Sequence, residues 1–176
     1  FFANPEVFEW FAAQDSSLNL KSSVEDAELV LMAYHNSFDY EELCEVSWRI
    51  QRKTRWWVTH SDFVCPDARG PVPDVGSFMA LFEKAYGLKP EKSFGKPNPE
   101  MLAPVLERFA PDEVLFVGDR LYTDFELAKQ SGCRFALPLC GETKEKDLKG
   151  LSVLPEIIVN QVSDIDFDSL LGNTQK

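Results

Sequence analysis

Three observations make an α/β fold with a parallel sheet the architecture this chain predicts. Short apolar runs suited to strands alternate with stretches of helical periodicity, the order that yields βαβ units. The clearest run, Val114 to Val117, is short and continuous in apolar residues, as a strand buried on both faces is. It leads directly into a loop carrying Asp119 and Asp124, and the carboxyl ends of strands are where open α/β sheets gather their ligands. With 176 residues, 44% of them hydrophobic and 12% aromatic, the chain can bury a sizeable core in one domain or two small ones.

The elements follow in order. Pro5 to Ala13 read as a short helix, with Asn4 placed to cap it and Pro5 at its first position. A polar, serine-rich connection runs from Gln14 to Asp26. Ala27 to Tyr34 suit a strand, and Asp39 to Arg52 a helix with Leu43, Val46 and Ile50 on one face. Trp56 to Thr59 form the next strand, leaving His60, Ser61 and Asp62 on a loop. Three prolines and a glycine between Cys65 and Pro73 predict an irregular connection. Ser77 to Tyr86 is a helix with Phe78, Leu81, Phe82 and Ala85 at helical spacing, stopped by Gly87. A junction is expected in the link Leu88 to Glu91, separating residues 1–91 from residues 92–176.

Beyond that link, Asn98 and Pro99 start a helix reaching about Phe109, which Pro104 should bend. After the Val114 strand, Thr123 and Glu126 stand at capping-box spacing and Ser131-Gly132 supplies a stop. A strand from Arg134 to Leu139, a loop beginning Gly141-Glu142-Thr143 with a short helix, a strand Ile157 to Val159 and a helix Asp164 to Leu171 complete the chain.

The net charge of −11 argues against nucleic acid or an anionic membrane as partner, since both require basic surfaces. An anionic ligand would need positive charge concentrated locally. Cys44, Cys65, Cys133 and Cys140 show no CxxC spacing and read as reduced thiols, which points to a cytoplasmic protein. No apolar run approaches the roughly 20 residues of a spanning helix.

Asp119 stands where only a loop or a ligand can solvate it, and a hard cation such as Mg²⁺ suits that position. Asp124 alone could equally complement the positive end of a helix dipole. Lys96, in a Gly-Lys-Pro turn ahead of a capped helix, can present a fixed positive charge to a phosphate. Taken singly it would be an ordinary surface lysine.

Together these motifs resemble the haloacid dehalogenase-like phosphatases, in the large-cap subgroup of p-nitrophenyl and phosphoglycolate phosphatases. Thr59-His60-Ser61-Asp62 with Cys65-Pro66 is similar to the family's cap signature, although His60 stands where an asparagine is usual. Phe94-Gly95-Lys96-Pro97-Asn98-Pro99-Glu100 is similar to the motif bearing its active-site lysine. Gly118 to Asp124 resembles its acidic metal motif, and Gly141-Glu142-Thr143 a loop that commonly follows.

The resemblance implies a partial Rossmann-like parallel sheet, the carboxyl-terminal half of the family's core, in residues 92–176, with an α/β cap domain in residues 1–91. It implies Mg²⁺ as cofactor and a small phosphorylated metabolite as substrate. Asp119 would be a metal ligand, and Asp124 would complete the metal site by orienting bound water. Lys96 would neutralise charge on the phosphate and on the attacking carboxylate, and Asp62 would contact substrate from the cap.

The family's nucleophile, in an Asp-Xaa-Asp motif on the first core strand, has no counterpart here. Asp164-Ile165-Asp166 follows the last strand and reads as an acidic helix start instead. The chain as it stands is therefore expected to be inactive, and activity to belong to a longer protein. The missing strand would lie beside Val114 to Val117, so a second copy or an amino-terminal segment is expected to cover that edge. The alternative is a non-catalytic binding or dimerisation module, with Trp48, Trp56 and Trp57 as contacts.

Overall fold

A computed structural model describes residues 1–17, 19–20 and 26–170. Parts of the serine-rich connection and Leu171, the expected end of the last helix, lie outside the described residues. The chain divides into two units, Phe1–Gly95 and Lys96–Lys176.

The first unit contains α1 (Pro5–Gln14), β1 (Leu29–Met32), α2 (Tyr40–Gln51), β2 (Arg55–Val58), β3 (Val64–Cys65), β4 (Val72–Pro73), α3 (Val75–Tyr86) and β5 (Lys92–Ser93). Strands β1, β2 and β5 pair in parallel in that order, Leu29 opposite Arg55 and Trp57 opposite Lys92. Because β5 hydrogen-bonds to β2, Lys92 and Ser93 are held by this sheet, and the division follows Gly95 rather than the Leu88–Glu91 link. The core joins Val30, Met32, Trp56 and Val58 of the strands to Val46 and Ile50 of α2 and Phe78 and Phe82 of α3. Trp56 thus serves packing, its ring 5.7 Å from that of Phe82.

Asp39 caps α2 by accepting the Glu42 amide at 2.9 Å. Asn4 stands at the N-cap of α1, its carbonyl accepting the Val7 and Phe8 amides, but its side chain makes no cap bond: Oδ1 accepts the Asn36 amide at 3.0 Å and meets His35 Nδ1 at 3.1 Å. The proline-rich connection is more ordered than its composition predicts: β3 and β4 form a two-residue antiparallel pair with Pro73 opposite Val64. On α3, Val75, Phe78 and Phe82 fill the buried face, and Leu81, expected there, is exposed.

The second unit contains α4 (Ala103–Leu106), β6 (Leu115–Val117), α5 (Glu126–Ser131), β7 (Arg134–Pro138), β8 (Ile157–Val159) and α6 (Phe167–Leu170). Its sheet is parallel, ordered β6-β7-β8. Central β7 buries Phe135, Ala136 and Leu137, and Phe135 and Leu137 pack with Phe125 and Ala128. Edge strand β6 is only half-buried at Leu115 and Phe116 and exposed at Val117.

Two helices depart from expectation. The one starting at Asn98 is broken into a 3-10 turn, Pro99–Leu102, and a single turn of α4 with Pro104 at its start. Proline cannot donate within a helix, and its ring clashes with the preceding turn. The expected capping box at Thr123 and Glu126 does not form. Instead a wide turn, Leu121–Phe125, precedes α5, with the Asp124 and Phe125 amides both donating to the Arg120 carbonyl. Thr123 is fully buried and its hydroxyl has no hydrogen-bond partner among the described residues. The Glu126 carboxylate bonds Lys129 at 2.9 Å and Gln130 at 3.3 Å, which hold it below the usual carboxylate pKa. Gly132, at φ 70°, ends α5 in the left-handed conformation that glycine adopts without strain. Among the described residues no helix is long and apolar enough to cross a membrane.

Candidate active site

The site in the second unit grows from the carboxyl end of β6. The ladder persists to Gly118, whose amide donates to the Ala136 carbonyl at 3.2 Å, and Asp119 is the first residue beyond it. The loop after β7 closes over Asp119: the Glu142 amide donates to its Oδ2 at 2.6 Å and the Thr143 amide to its carbonyl at 3.1 Å. A Cβ at Gly141 would press into the Asp119 carboxylate, so this approach requires glycine. Asp119 is half-buried, and its Oδ1 takes no hydrogen bond or ion pair among the described residues.

Asp124 lies in the wide turn and is only 3% exposed. A carboxylate so desolvated needs partners for both oxygens. Its Oδ1 meets Lys96 Nζ at 2.6 Å, and its Oδ2 accepts the Arg120 amide at 3.1 Å. A Cβ at Gly118 would come within 2.5 Å of the Asp124 side chain. Lys96 follows β5 in sequence and is joined to Pro97 by a cis peptide. Two more contacts involve the surrounding loops: Arg120 Nε donates to Glu142 Oε2 at 2.7 Å, and Lys144 Nζ donates to the Gly141 carbonyl at 2.6 Å.

Lys96 and Asp124 are thus in direct contact, and Asp119 lies on the same loop after β6 as Asp124. Asp62 belongs to the first unit, on the loop after β2. That loop is pinned to α3: the Asp62 carbonyl accepts the Gly76 amide at 2.9 Å, and a Cβ at Gly76 would strike the Ser61 carbonyl. The His60 ring lies between Thr59 Oγ1 at 2.8 Å and Asp74 Oδ1 at 2.9 Å, and Asp74 caps α3 through the Val75 amide. Sequence reasoning singled out neither Asp74 nor the Arg120–Glu142 pair. An aspartate directly before the apolar start of α3 was the available signal for the first; nothing in the spacing of Arg120 and Glu142 marked the second. Asp164 and Asp166 accept local amides, of Gln161 at 3.2 Å and Ser169 at 3.1 Å, as turn-capping residues do.

Among the described residues, no group of three or more His, Cys, Asp or Glu side chains could enclose a metal. An open, oxygen-only site with one accessible carboxylate fits a hard ion such as Mg²⁺, which commonly keeps waters and takes its remaining ligands from phosphate. Asp119 Oδ1 offers that position, whereas both oxygens of Asp124 are engaged.

Residues 93–165 match the HAD-hydrolase-like family model. The 4-nitrophenylphosphatase of Thermotoga maritima is 34% identical with a TM-score of 0.73, covering 89% of this chain and 59% of its own. Dihydroxyacetone phosphatase of Corynebacterium glutamicum is 25% identical over 140 residues, 78% of this chain and 50% of its own length. D-glycerol 3-phosphate phosphatase of Mycobacterium tuberculosis is 32% identical over 102 residues, 58% of this chain and 29% of its own. The chain spans about half or less of the length of these two curated relatives.

Proposed function

From the membership of this chain in the haloacid dehalogenase-like hydrolases, among the p-nitrophenyl phosphatase-like proteins, we propose that it contributes the metal- and phosphate-binding half of a phosphate monoesterase. The observation that carries this reading is the Lys96–Asp124 contact at 2.6 Å on the loop that also presents Asp119. A nearly buried carboxylate holds the ammonium in place, so a positive charge is fixed where a phosphoryl oxygen can meet it. In a chain of net charge −11, such local concentration is what an anionic substrate requires.

Asp119 would hold Mg²⁺ through Oδ1, its carboxylate oriented by the Glu142 amide. Asp124 would act beside it, fixing Lys96 and orienting metal-bound water. When bound, the ion supplies charge neutralisation on the phosphoryl group. The first unit would form the substrate-selecting cap, with Asp62 as a substrate contact on a loop that α3 and the His60–Asp74 pair hold. The substrate class is a small phosphorylated metabolite, in keeping with the three-carbon phosphates for which two relatives are named.

Covalent phosphoryl transfer needs a nucleophile in line with phosphorus. No Asp-Xaa-Asp pair stands at a strand tip among the described residues. The nucleophile would come from a longer polypeptide that carries this chain. p-Nitrophenyl phosphate hydrolysis with Mg²⁺ tests both parts. Residues 1–176 alone should show negligible turnover, and the longer protein should lose about a hundredfold or more on Asp119→Asn. Turnover by residues 1–176 that depends on Asp119 would overturn the outside nucleophile; indifference of the longer protein to Asp119→Asn would overturn the site.

A further inference from the structure

We infer that Arg120 and Glu142 are positioning residues that hold Asp119 and Asp124 in fixed register, so that the Glu142 side chain sets metal affinity without touching the metal. This rests on the reading of Asp119 as the metal-holding carboxylate.

The contacts form a closed circuit. The Arg120 amide holds Asp124 Oδ2 at 3.1 Å, and the Arg120 carbonyl accepts the Asp124 and Phe125 amides. Arg120 Nε reaches across to Glu142 Oε2 at 2.7 Å. The Glu142 amide returns to Asp119 Oδ2 at 2.6 Å, and Asp119 is bonded covalently to Arg120. One ion pair therefore links the backbone that holds Asp124 to the loop that orients Asp119.

Burial gives this pair more weight than an ordinary surface salt bridge. The Arg120 side chain is 13% exposed and that of Glu142 35%. A charge-assisted bond with one partner largely out of water is stronger and less screened than a fully exposed one. Besides this pair, Lys144 Nζ ties the Gly141 carbonyl, and the Thr143 amide reaches the Asp119 carbonyl. Gly141 must lie against the Asp119 carboxylate, so small displacements of the loop are felt directly at Asp119. With Glu142 Oε2 withdrawn, Oδ2 loses a fixed donor and the carboxylate is freed to rotate. Partners that orient a ligating carboxylate typically change metal affinity or activity by 10- to 100-fold on removal.

The test uses Glu142→Ala and Glu142→Gln, the second retaining an oxygen acceptor for Arg120. Amide hydrogen exchange at positions 142 and 143 reads the loop with no metal present, and calorimetric titration with MgCl₂ reads affinity. Glu142→Ala should speed exchange at those two amides about tenfold or more while β7 amides are unchanged, and weaken Mg²⁺ binding about tenfold. Glu142→Gln should restore most of both. Unchanged exchange, or faster exchange with unchanged Mg²⁺ affinity, would overturn the positioning role. The reading of Asp119 itself fails separately, and takes this inference with it, if Asp119→Asn leaves the Mg²⁺ titration of the parent protein unaltered.

Discussion

Replacing Lys96 by methionine isolates what the buried ion pair contributes. The variant keeps the length and apolar stem of the side chain but leaves Asp124, whose side chain is 4% exposed, facing a neutral group. Breaking a fully buried pair by removing one partner costs about 3–5 kcal/mol, because the remaining charge is uncompensated. Here Lys96 is 26% exposed and Asp124 keeps the Arg120 amide, so the expected loss is about 2–4 kcal/mol. Asp124→Asn should cost less, about 1–2 kcal/mol, because the ammonium it releases can turn toward water. The double variant should be less destabilised than the sum of the two by about 1–3 kcal/mol. Urea unfolding followed by circular dichroism measures these values. Tryptophan fluorescence provides a control, since Trp10, Trp48, Trp56 and Trp57 all lie in the first unit and the pair in the second. A cost below about 1 kcal/mol for Lys96→Met, or a larger cost for Asp124→Asn, would refute the reasoning.

Three further outcomes are expected. Gly118→Ala and Gly141→Ala should each destabilise the second unit by about 1–3 kcal/mol in urea, because the added methyl meets the Asp124 and Asp119 carboxyl groups respectively. Iodoacetamide should modify exposed Cys140 before Cys133, whose thiol is pushed up by burial; peptide mapping should find Cys133 still gaining reactivity at pH values where an ordinary thiol has levelled off. Arg134 bonds Glu156 through two nitrogens and holds its carboxyl below the usual range. A depressed folded pKa gives stability that is present above the unfolded pKa and lost as pH falls through the folded one. Glu156→Gln should therefore cost about 0.2–1 kcal/mol near neutral pH, a small value because Glu156 is 47% exposed, and almost nothing in strong acid.

What could be read from the sequence was what local rules decide. The apolar runs at Leu29–Met32, Arg55–Val58 and Arg134–Pro138 became parallel strands, because few other arrangements bury them. Gly87 and Gly132 stopped their helices in the left-handed conformation, as glycine after an apolar stretch does. The failures came where tertiary contacts outcompeted local signals. The Asn4 side chain bonded the segment after β1 instead of its own helix, and Glu126 found Lys129 and Gln130 instead of the Thr123 turn. The strand Lys92–Ser93 is too short to show any periodicity, so only pairing with β2 reveals it. Within the site, Lys96, Asp119 and Asp124 were visible as chemistry-bearing residues in motifs. The roles of Arg120 and Glu142 depend on an ion pair spanning 22 residues of sequence, which no local pattern encodes.

The claim on which the rest depends is that Lys96 and Asp119 face one phosphoryl-sized space. A crystal structure of the protein with Mg²⁺ and tungstate, a phosphate mimic, tests it most directly. The account predicts tungstate within hydrogen-bond distance of Lys96 Nζ and the metal on Asp119 Oδ1, with the Glu142 amide still on Oδ2. A metal bound away from Asp119, or tungstate held without Lys96, would contradict it.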